Sequence, residues 1–591
     1  MTANEKIYKI RELMKKNSIG AIIIPSGDPH MSEYIPEFWK TRRYVSGFTG
    51  SAGTLVILEN ESGLWTDGRY YSQCEKELNG SEIKLFKAME KDCPTYGEYL
   101  GKKLPENGRV GINGKIFSIE LVEKLKKEFQ EKNLTLVENI DYGNDIWHER
   151  PEEKINEIFV LEEKFTGKSS REKIKKLREE LEKKKLDSIV LGKLDNIAWL
   201  FNIRGRDVPN NPVVISYGYV DGEKSILFVD KRKVSSEVQE ELADNGIQLK
   251  SYENIFEYCK GISGNVSCDK KEINYSLYKV LEENKNIAIS FEENPIVLMK
   301  ACKNPVEIRN IEKAYLKDAC AQSEFYGWLD EKMENNSSVT EYDCVEKLKY
   351  FRSKQENYFE ESFNGILAYG PNAAMMHYSP KKNNSALLEK RKFLLNDSGG
   401  QYFEGTTDTT RTYALGKTSE EEKHDYTLVL KGVISLSQVV FKEGTSAGEL
   451  DILCRQFFWN EGLDYRCGTG HGIGFMLNVH ENPPSFKDKI TKLMEGMCIT
   501  IEPGVYKENS HGIRIENTVV VTEAMETEYG KFFKFKNFTL LPIDIESLDI
   551  GMLSKNEIDW INNYHEIIFE KVYPKLSETG KKWLREKAKK I

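Results

Sequence analysis

The chain opens with a polar, amphipathic run from about Lys6 to Lys16 that leads into the apolar run of GAIIIPSGD. YVSGFTGSAGTLVIL and SGLWTDGRYYSQCEKEL follow, and their pattern predicts strand, turn, strand and then helix. The order then repeats. SSREKIKKLREELEKKK predicts a helix, LDSIVL a strand, and LDNIAWLFNIRGRDVPNNPVVISYGYV with KSILFVDKRKV an acidic turn and a strand pair. Asp67 and Arg69 of the first segment take the places of Asp230 and Arg232 in the second. This points to an internal duplication of one α/β unit, each burying its sheet beneath helices on one face.

From Pro305 the pattern changes. VEIRNIEKAYLKDACAQSEFYGWLDEKM repeats apolar residues at three- and four-residue spacing and predicts a long amphipathic helix. A second helix follows at about Thr340 to Lys354, and a strand-rich stretch begins with SFNGILAYGPNAAMMHYSP. Helical patterns at Glu420–Phe441 and Ala447–Glu461 separate two pairs of apolar strands. Beyond Ile545 the chain is amphipathic and helical again, with Trp560, Tyr564, Tyr573 and Trp583 as aromatics that dock on the same chain or on a second subunit. WHERPEEKINEIFVLEEKFTGK is a candidate linker, and a further boundary falls near NPIVLMKACKNPVEIRN. The expected organisation is α/β (α+β): two related domains at 1–150 and 151–304, a third at 305–545 and a helical extension at 546–591.

A chain of 591 residues is too long for one core, which agrees with that division. The net charge of -9 is mixed along the chain without a basic stripe, so nucleic acid is not an expected partner. No apolar run approaches the roughly 20 residues needed to span a bilayer. The N-terminus lacks the character of a signal peptide. The ten cysteines form no C-x-x-C pair and fit free thiols in a reducing compartment, so a cytoplasmic location is expected.

The chemistry concentrates between Phe393 and Val521. Asp397 lies in FLLNDSGGQY and Asp408 in FEGTTDTTRTYAL; Glu502 lies in CITIEPGVY and Glu516 in HGIRIENTVVV. One acid in a strand is more often a surface or turn residue, but four in apolar strands are costly unless paired or bound to metal. Their four negative charges match two divalent cations, with His471 of GTGHGIG as a nitrogen ligand and small neighbours that let the backbone pass close. An oxygen-rich set with one imidazole suits Mn²⁺, Co²⁺ or Zn²⁺, and favours Mn²⁺ more than a thiolate site would. Arg514, two residues before Glu516, is either a partner of a ligand carboxylate or an ordinary strand arginine. His511 reads as a loop residue.

DSGGQYFEGTTDTTRT, GTGHGIGFMLNVHE, EPGVY and GIRIEN together resemble the pita-bread metallopeptidases, in particular the long three-domain Xaa-Pro aminopeptidases (aminopeptidase P). RRYVSGFTGSAGT, LWTDGRYY, LDNIAWLFNIRGRDVPNNPV and the tail INNYHEIIFEKVYPKL look like that family too, so the likeness spans nearly the whole chain. The resemblance implies two creatinase-like N-terminal domains ahead of a pita-bread catalytic domain. It implies a metallo-exopeptidase that cleaves after the first residue of Xaa-Pro peptides through a metal-bridging hydroxide. Asp397 would hold one metal, Asp408 and Glu516 would bridge, and His471 and Glu502 would complete the other. Glu502 would also act as general base and acid. His480 and His377 match substrate-contact positions counted with the catalytic residues: His480 toward the scissile carbonyl and His377 in the proline pocket. Arg69, with His377, His471 and His480, would bind the peptide. A homodimer is implied, with the aromatic tail as its natural surface. Proline specificity comes from the resemblance alone.

One position departs from the family. Many members read His-Gly-Thr-Gly-His where this chain reads Cys467-Gly468-Thr469-Gly470-His471. A thiol is a weak donor and shorter than imidazole, which puts contact with the peptide backbone in question and raises sensitivity to oxidants as an expectation. Two alternatives stay open. One is prolidase, an Xaa-Pro dipeptidase with the same ligands and normally one N-terminal unit. The other is a non-catalytic binding relative, a class that usually loses ligands.

Overall fold

The computed structural model describes residues 1–591. They form two compact units, Met1–Leu161 with Lys168–Ile296, and Glu162–Gly167 with Val297–Ile591.

The first unit holds two six-stranded sheets of one topology. In spatial order the first runs Ile83–Lys87, Ser62–Thr66, Thr54–Leu58, Ala21–Pro25, Arg109–Gly111 and Thr135–Val137. The second runs Ile247–Ser251, Ser225–Val229, Ser216–Asp221, Ser188–Leu191, Gly264–Ser267 and Ile287–Ser290. In each, the second, third and fourth strands are antiparallel neighbours and the outer pairings are parallel. The repeat extends to the turn after the second strand. Arg69 Nε donates to Asp67 Oδ1 at 2.8 Å, and Arg232 Nε donates to Asp230 Oδ1 at 3.1 Å.

Each sheet was expected to be covered on one face, but the first is covered on both. Successive strand residues point to opposite faces. Ile22 and Ile24 enter an apolar cluster with Ile7 and Ile10 of the helix Ala3–Lys16. Ala21 and Ile23 enter another with Val122 and Leu125 of the helix Ile119–Glu128. Parallel pairing leads helices across both faces, so the strands read as continuous apolar runs. The acidic turn expected after Ser188–Leu191 is a helix, Leu194–Leu200, buried along its length.

In the second unit the helix Pro305–Glu334 begins as its sequence directs. Asn304 caps the amides of Val306 and Glu307, Glu307 returns to the Asn304 amide, and Pro305 occupies the first turn. The strands Ile366–Tyr369, Phe393–Ser398 and Thr409–Ala414 form an antiparallel sheet in that order. A six-stranded sheet runs Val440–Lys442, Gly530–Asn537, Asn517–Thr527, Cys498–Ile501, His471–Gly472 and Glu481–Ser485, and Gly504–Lys507 pairs with His511–Arg514 as a separate hairpin. The helix expected to reach Phe441 stops at Ser437. Val440–Lys442 is drawn into pairing with Lys534, Phe533 and Phe532, where sheet contacts override the helical period.

The tail docks on its own chain. Ile561 and Ile568 of the helix Lys555–Val572, and Trp583 and Leu584 of Glu578–Lys587, share one core with Phe393, Tyr426, Ile499 and Val519. Trp583 stacks on Tyr326 at 5.1 Å between centroids and 11° between planes. The tail aromatics Tyr564 and Trp583 are therefore interior residues and not a free surface for a second subunit. No helix is long and apolar enough to cross a membrane.

Trp583→Ala should destabilise the second unit by about 3–5 kcal/mol, the range for emptying a buried aromatic site. Thermal unfolding followed by tryptophan-independent circular dichroism checks this; an unchanged midpoint would show that the tail contributes no packing.

Candidate metal centre

Asp397 stands in the strand Phe393–Ser398 opposite Thr410, and Asp408 immediately precedes the partner strand Thr409–Ala414. Glu502 follows Cys498–Ile501 and Glu516 precedes Asn517–Thr527, where Ile501 pairs with Asn517. The two acid pairs come from different sheets and are tied together by the Glu516 amide, which donates to the Thr410 carbonyl at 3.1 Å. His471 enters on the strand pair formed by Gly472 and Ile499. Its approach needs the preceding glycine, because a Cβ on Gly470 would lie 1.8 Å from the Thr500 carbonyl oxygen.

Side chains from both sheets converge. His471 Nε2 lies 3.5 Å from Asp408 Oδ2 and 3.4 Å from Glu502 Oε1. Its Nδ1 faces the Gly472 carbonyl at 2.9 Å. A carbonyl only accepts, so Nδ1 carries a proton and Nε2 is the nitrogen turned toward the acids. One donor atom from each of Asp408, His471 and Glu516 can be enclosed within 4.8 Å of the others. Asp397 Oδ1 and Glu516 Oε1 are buried without a hydrogen-bond partner. Buried anionic oxygens left open, beside an imidazole nitrogen, are the donor set that divalent cations satisfy.

Arg514 pairs with Asp397, one of the expected ligands, and is not an ordinary strand arginine. Its Nη2 pairs with Asp397 Oδ2, its Nη1 donates to the Tyr506 hydroxyl at 2.6 Å, and its Nε donates to Thr410 Oγ1 at 3.2 Å. The Thr410 hydroxyl in turn donates to Glu516 Oε2 at 2.8 Å. Thr410 and Tyr506 escaped the sequence reading. The only signal for Thr410 was a run of hydroxyls beside Asp408 in TTDTTRT.

The protonation behaviour follows from crowding. Burial raises the carboxyl of Asp397; Arg514 pulls against this and Asp408 adds to it. Burial raises Glu502 despite the cations His471 and Arg514. Glu516 is pushed well above the carboxylate range by burial and then by Asp408, Glu502 and Asp397. Burial disfavours the charged ring of His471, but the hydrogen bond with Asp408 and the charge of Glu502 outweigh it and raise it to about 9.

The remaining sequence candidates fall as follows. The His480 ring stands edge-on to that of His471, 4.3 Å between centroids and 86° between planes. The residue after it, Glu481, is buried in ion pairs with Lys303 and, at 3.3 Å, Lys300, which anchor this segment. His377 is half-buried beyond the short helix Gly370–Ala374. Arg69 belongs to the first unit, paired with Asp67. His511 is not a loop residue: it is buried in the strand His511–Arg514, with Nε2 2.7 Å from Asp425 Oδ2. The Cys467 thiol is pushed up to about 11 by burial and then by the charge of Glu502. It is therefore mostly neutral near pH 7.

Two outcomes follow for metal-stripped protein. The histidine and the raised carboxyls hold more protons folded than unfolded. The His471 contribution to stability is complete below about pH 6.5 and is lost as pH rises through about 9. A cation must displace that proton, so Mn²⁺ affinity should climb by about tenfold per pH unit from about pH 6 toward 9, with proton release. Calorimetric titration across that range checks the slope; a flat affinity would contradict the assignment of Nε2. The second outcome concerns Cys467. Its alkylation by iodoacetamide at pH 7 should be slower than that of free cysteine and should accelerate only toward its raised pKa, as read by peptide mass.

Comparison with known proteins follows this division of the chain. The model of metallopeptidase family M24 matches residues 309–523, and that of the C-terminal region of peptidase M24 matches 531–591. Two models of the creatinase/prolidase N-terminal domain match 6–143 and 149–307. Aminopeptidase P2 of Arabidopsis thaliana is 38% identical over 99% of this chain and 88% of its own length. Xaa-Pro aminopeptidase 1 of Dictyostelium discoideum is 39% identical over 99% of this chain and 96% of its own. The crystal structure of X-prolyl aminopeptidase from Caenorhabditis elegans, called a cytosolic enzyme with a di-nuclear active site, matches at 32% identity with a TM-score of 0.94 over the whole of both chains. The chain belongs to metallopeptidase family M24, within the Xaa-Pro aminopeptidases that it matches from end to end.

Proposed function

We propose that this protein is a metal-dependent aminopeptidase that hydrolyses the bond between the first residue of a peptide and a following proline. The observation that carries the reading is the cluster of Asp408, His471 and Glu516, with buried open oxygens beside it, in a chain that also has two N-terminal α/β units. The second unit of that pair favours the aminopeptidase over prolidase, which normally has one. The filled ligand positions disfavour a binding-only relative.

Asp397, Asp408, His471, Glu502 and Glu516 would hold two divalent ions per chain, most simply Mn²⁺, with Co²⁺ or Zn²⁺ as substitutes. When bound, such ions lower the pKa of a shared water and polarise the scissile carbonyl. The protein does the rest. Arg514 fixes the Asp397 carboxylate and, through Thr410, the Glu516 carboxylate. Glu502 takes the proton of the attacking water and delivers it to the leaving amine. Its side chain remains 20% exposed, so it can exchange that proton with solvent. His480 donates to the carbonyl oxygen as charge develops on it. His377 lines the proline pocket, where the fixed φ and missing N–H of proline are the recognised features. Arg69 binds peptide carbonyls or the C-terminal carboxylate. The four segments 1–150, 151–304, 305–545 and 546–591 act as two recognition domains, the catalytic domain and its extension. The enzyme is placed in the cytosol and as a homodimer, whose contact falls to the outer face of the tail helix, where Ile567 and Phe569 remain exposed.

Hydrolysis of Arg-Pro-Pro, Arg-Ala-Pro and Arg-Pro by metal-stripped protein, with and without Mn²⁺, tests this. Arginine should be released from Arg-Pro-Pro alone, and only with metal. Cleavage of the dipeptide alone would reassign the chain as a prolidase. No cleavage with Mn²⁺, Co²⁺ or Zn²⁺ would leave the binding-only relative.

A further inference from the structure

Arg411 is among the largest fully buried side chains of the protein, and the proposed chemistry makes no use of it. Its hydrogen bonds go to neutral oxygens. Nη1 donates to the carbonyls of Thr410 at 2.8 Å and Glu516 at 2.6 Å. Those two residues are already coupled, amide to carbonyl at 3.1 Å and hydroxyl to Glu516 Oε2 at 2.8 Å. One nitrogen thus closes a clasp around the backbone of the residue whose carboxylate enters the donor cluster. Nη2 reaches the other way, to Asn517 Oδ1 and the Leu541 carbonyl at 2.8 Å each and to the Tyr564 hydroxyl at 2.7 Å. Tyr564 lies on the tail helix, and its hydroxyl in turn lies 3.0 Å from the carbonyls of Thr539 and Leu541. The guanidinium is a rigid planar fork, so fixing Nη2 fixes the direction of Nη1.

We infer that Arg411 and Tyr564 are positioning residues of the metal centre: the tail helix, through the Tyr564 hydroxyl, aims the guanidinium that holds Thr410 and Glu516, and so orients the Glu516 carboxylate. The inference rests on the function proposed above and gives the last segment of the chain a part in it. Glu516 carries a buried oxygen whose only hydrogen bond comes from Thr410 and another that is open, so its direction depends on where its backbone is held. Displacing groups that orient a ligand costs metal affinity about 10–100-fold even when the ligand itself remains. Trp583 supplies the contrast, since it docks the tail by stacking on Tyr326 and has no place in the clasp.

Tyr564→Phe removes one oxygen and keeps the ring, including its stack on Trp560 at 5.0 Å. It is compared with Trp583→Ala in the full-length protein by three measurements: hydrogen exchange around the Glu516 amide without metal, Mn²⁺ affinity by calorimetry, and thermal unfolding. Tyr564→Phe should exchange about tenfold faster at Glu516 and bind Mn²⁺ about tenfold more weakly, with a midpoint near that of the parent. Trp583→Ala should lower the midpoint and speed exchange evenly across the core amides of the unit, while leaving Mn²⁺ affinity at the parental value. Arg411→Lys, which keeps the charge and loses the fork, should give the Tyr564→Phe pattern more strongly. Parental exchange and affinity in Tyr564→Phe would overturn the inference, as would a loss of affinity, or a selective rise in exchange at Glu516, that Trp583→Ala reproduces. If the parent takes up no Mn²⁺, the proposed function falls, and exchange at Glu516 alone decides the inference.

Discussion

The second unit is built around an electrostatic debt. Asp397, Asp408, Glu502 and Glu516 are gathered into one place where three of them are buried, and a single guanidinium, Arg514, contacts one of them, Asp397, directly. Desolvating one carboxylate without a partner costs several kcal/mol. Four of them facing one arginine cannot be held by local attraction, as the upward shifts of Asp397, Glu502 and Glu516 register. What holds them is the rigidity of two hydrogen-bonded sheets. Each acid sits in or beside a strand whose register is fixed by apolar neighbours: Leu394 and Leu395 before Asp397, Ile499 and Ile501 before Glu502, Val519 and Val520 after Glu516. The core enforces a repulsive arrangement that bound protons or metal cations relieve.

The same principle explains the buried arginines behind the site. Arg352 has no solvent exposure and pairs with Asp318 and Glu361 at 2.7 Å each, while its Nη2 donates to Ser398, the neighbour of Asp397. Breaking such a buried pair costs about 3–5 kcal/mol. That is ample to keep one strand from yielding to repulsion among the acids. Arg411 does the corresponding work on the opposite strand with carbonyls in place of carboxylates. Lys303 and Lys300 around Glu481 hold the segment that carries His480. Ion pairs that are weak evidence for stability in themselves serve here to fix where the strands carrying Asp397 and His480 stand.

Much of this was legible in the sequence, for a physical reason. An acid inside an apolar strand contradicts its surroundings, and a contradiction repeated at Asp397, Asp408, Glu502 and Glu516 is visible without knowing the fold. The duplication was legible because Asp67–Arg69 and Asp230–Arg232 close the same turn by local bonds. What could not be read depends on contacts between distant segments. Arg514 meets Asp397 across 117 positions, and Arg411 meets Tyr564 across 153. His511 read as a loop residue because nothing near it in sequence announces Asp425. The strand Val440–Lys442 was hidden by its continuity with a helical period, and its partner Gly530–Asn537 lies far downstream.

Glu502 and Glu516 show how one sheet can give two identical side chains different work. They flank the same strand pairing, Ile501 against Asn517, and so reach the site from adjacent strands. Glu516 is 1% exposed, bonded by Thr410 and surrounded by three other acids, so it has no route by which to trade a proton. Glu502 lies at the rim beside His471, with Thr500 3.4 Å away as a weak hydroxyl partner. A carboxylate with loose partners and access to water can gain and lose a proton within a reaction, whereas one closed off from solvent is slow to exchange it. The different work proposed for Glu502 and Glu516 is therefore matched by their depth in the sheet and not by residue type, since both positions are glutamate.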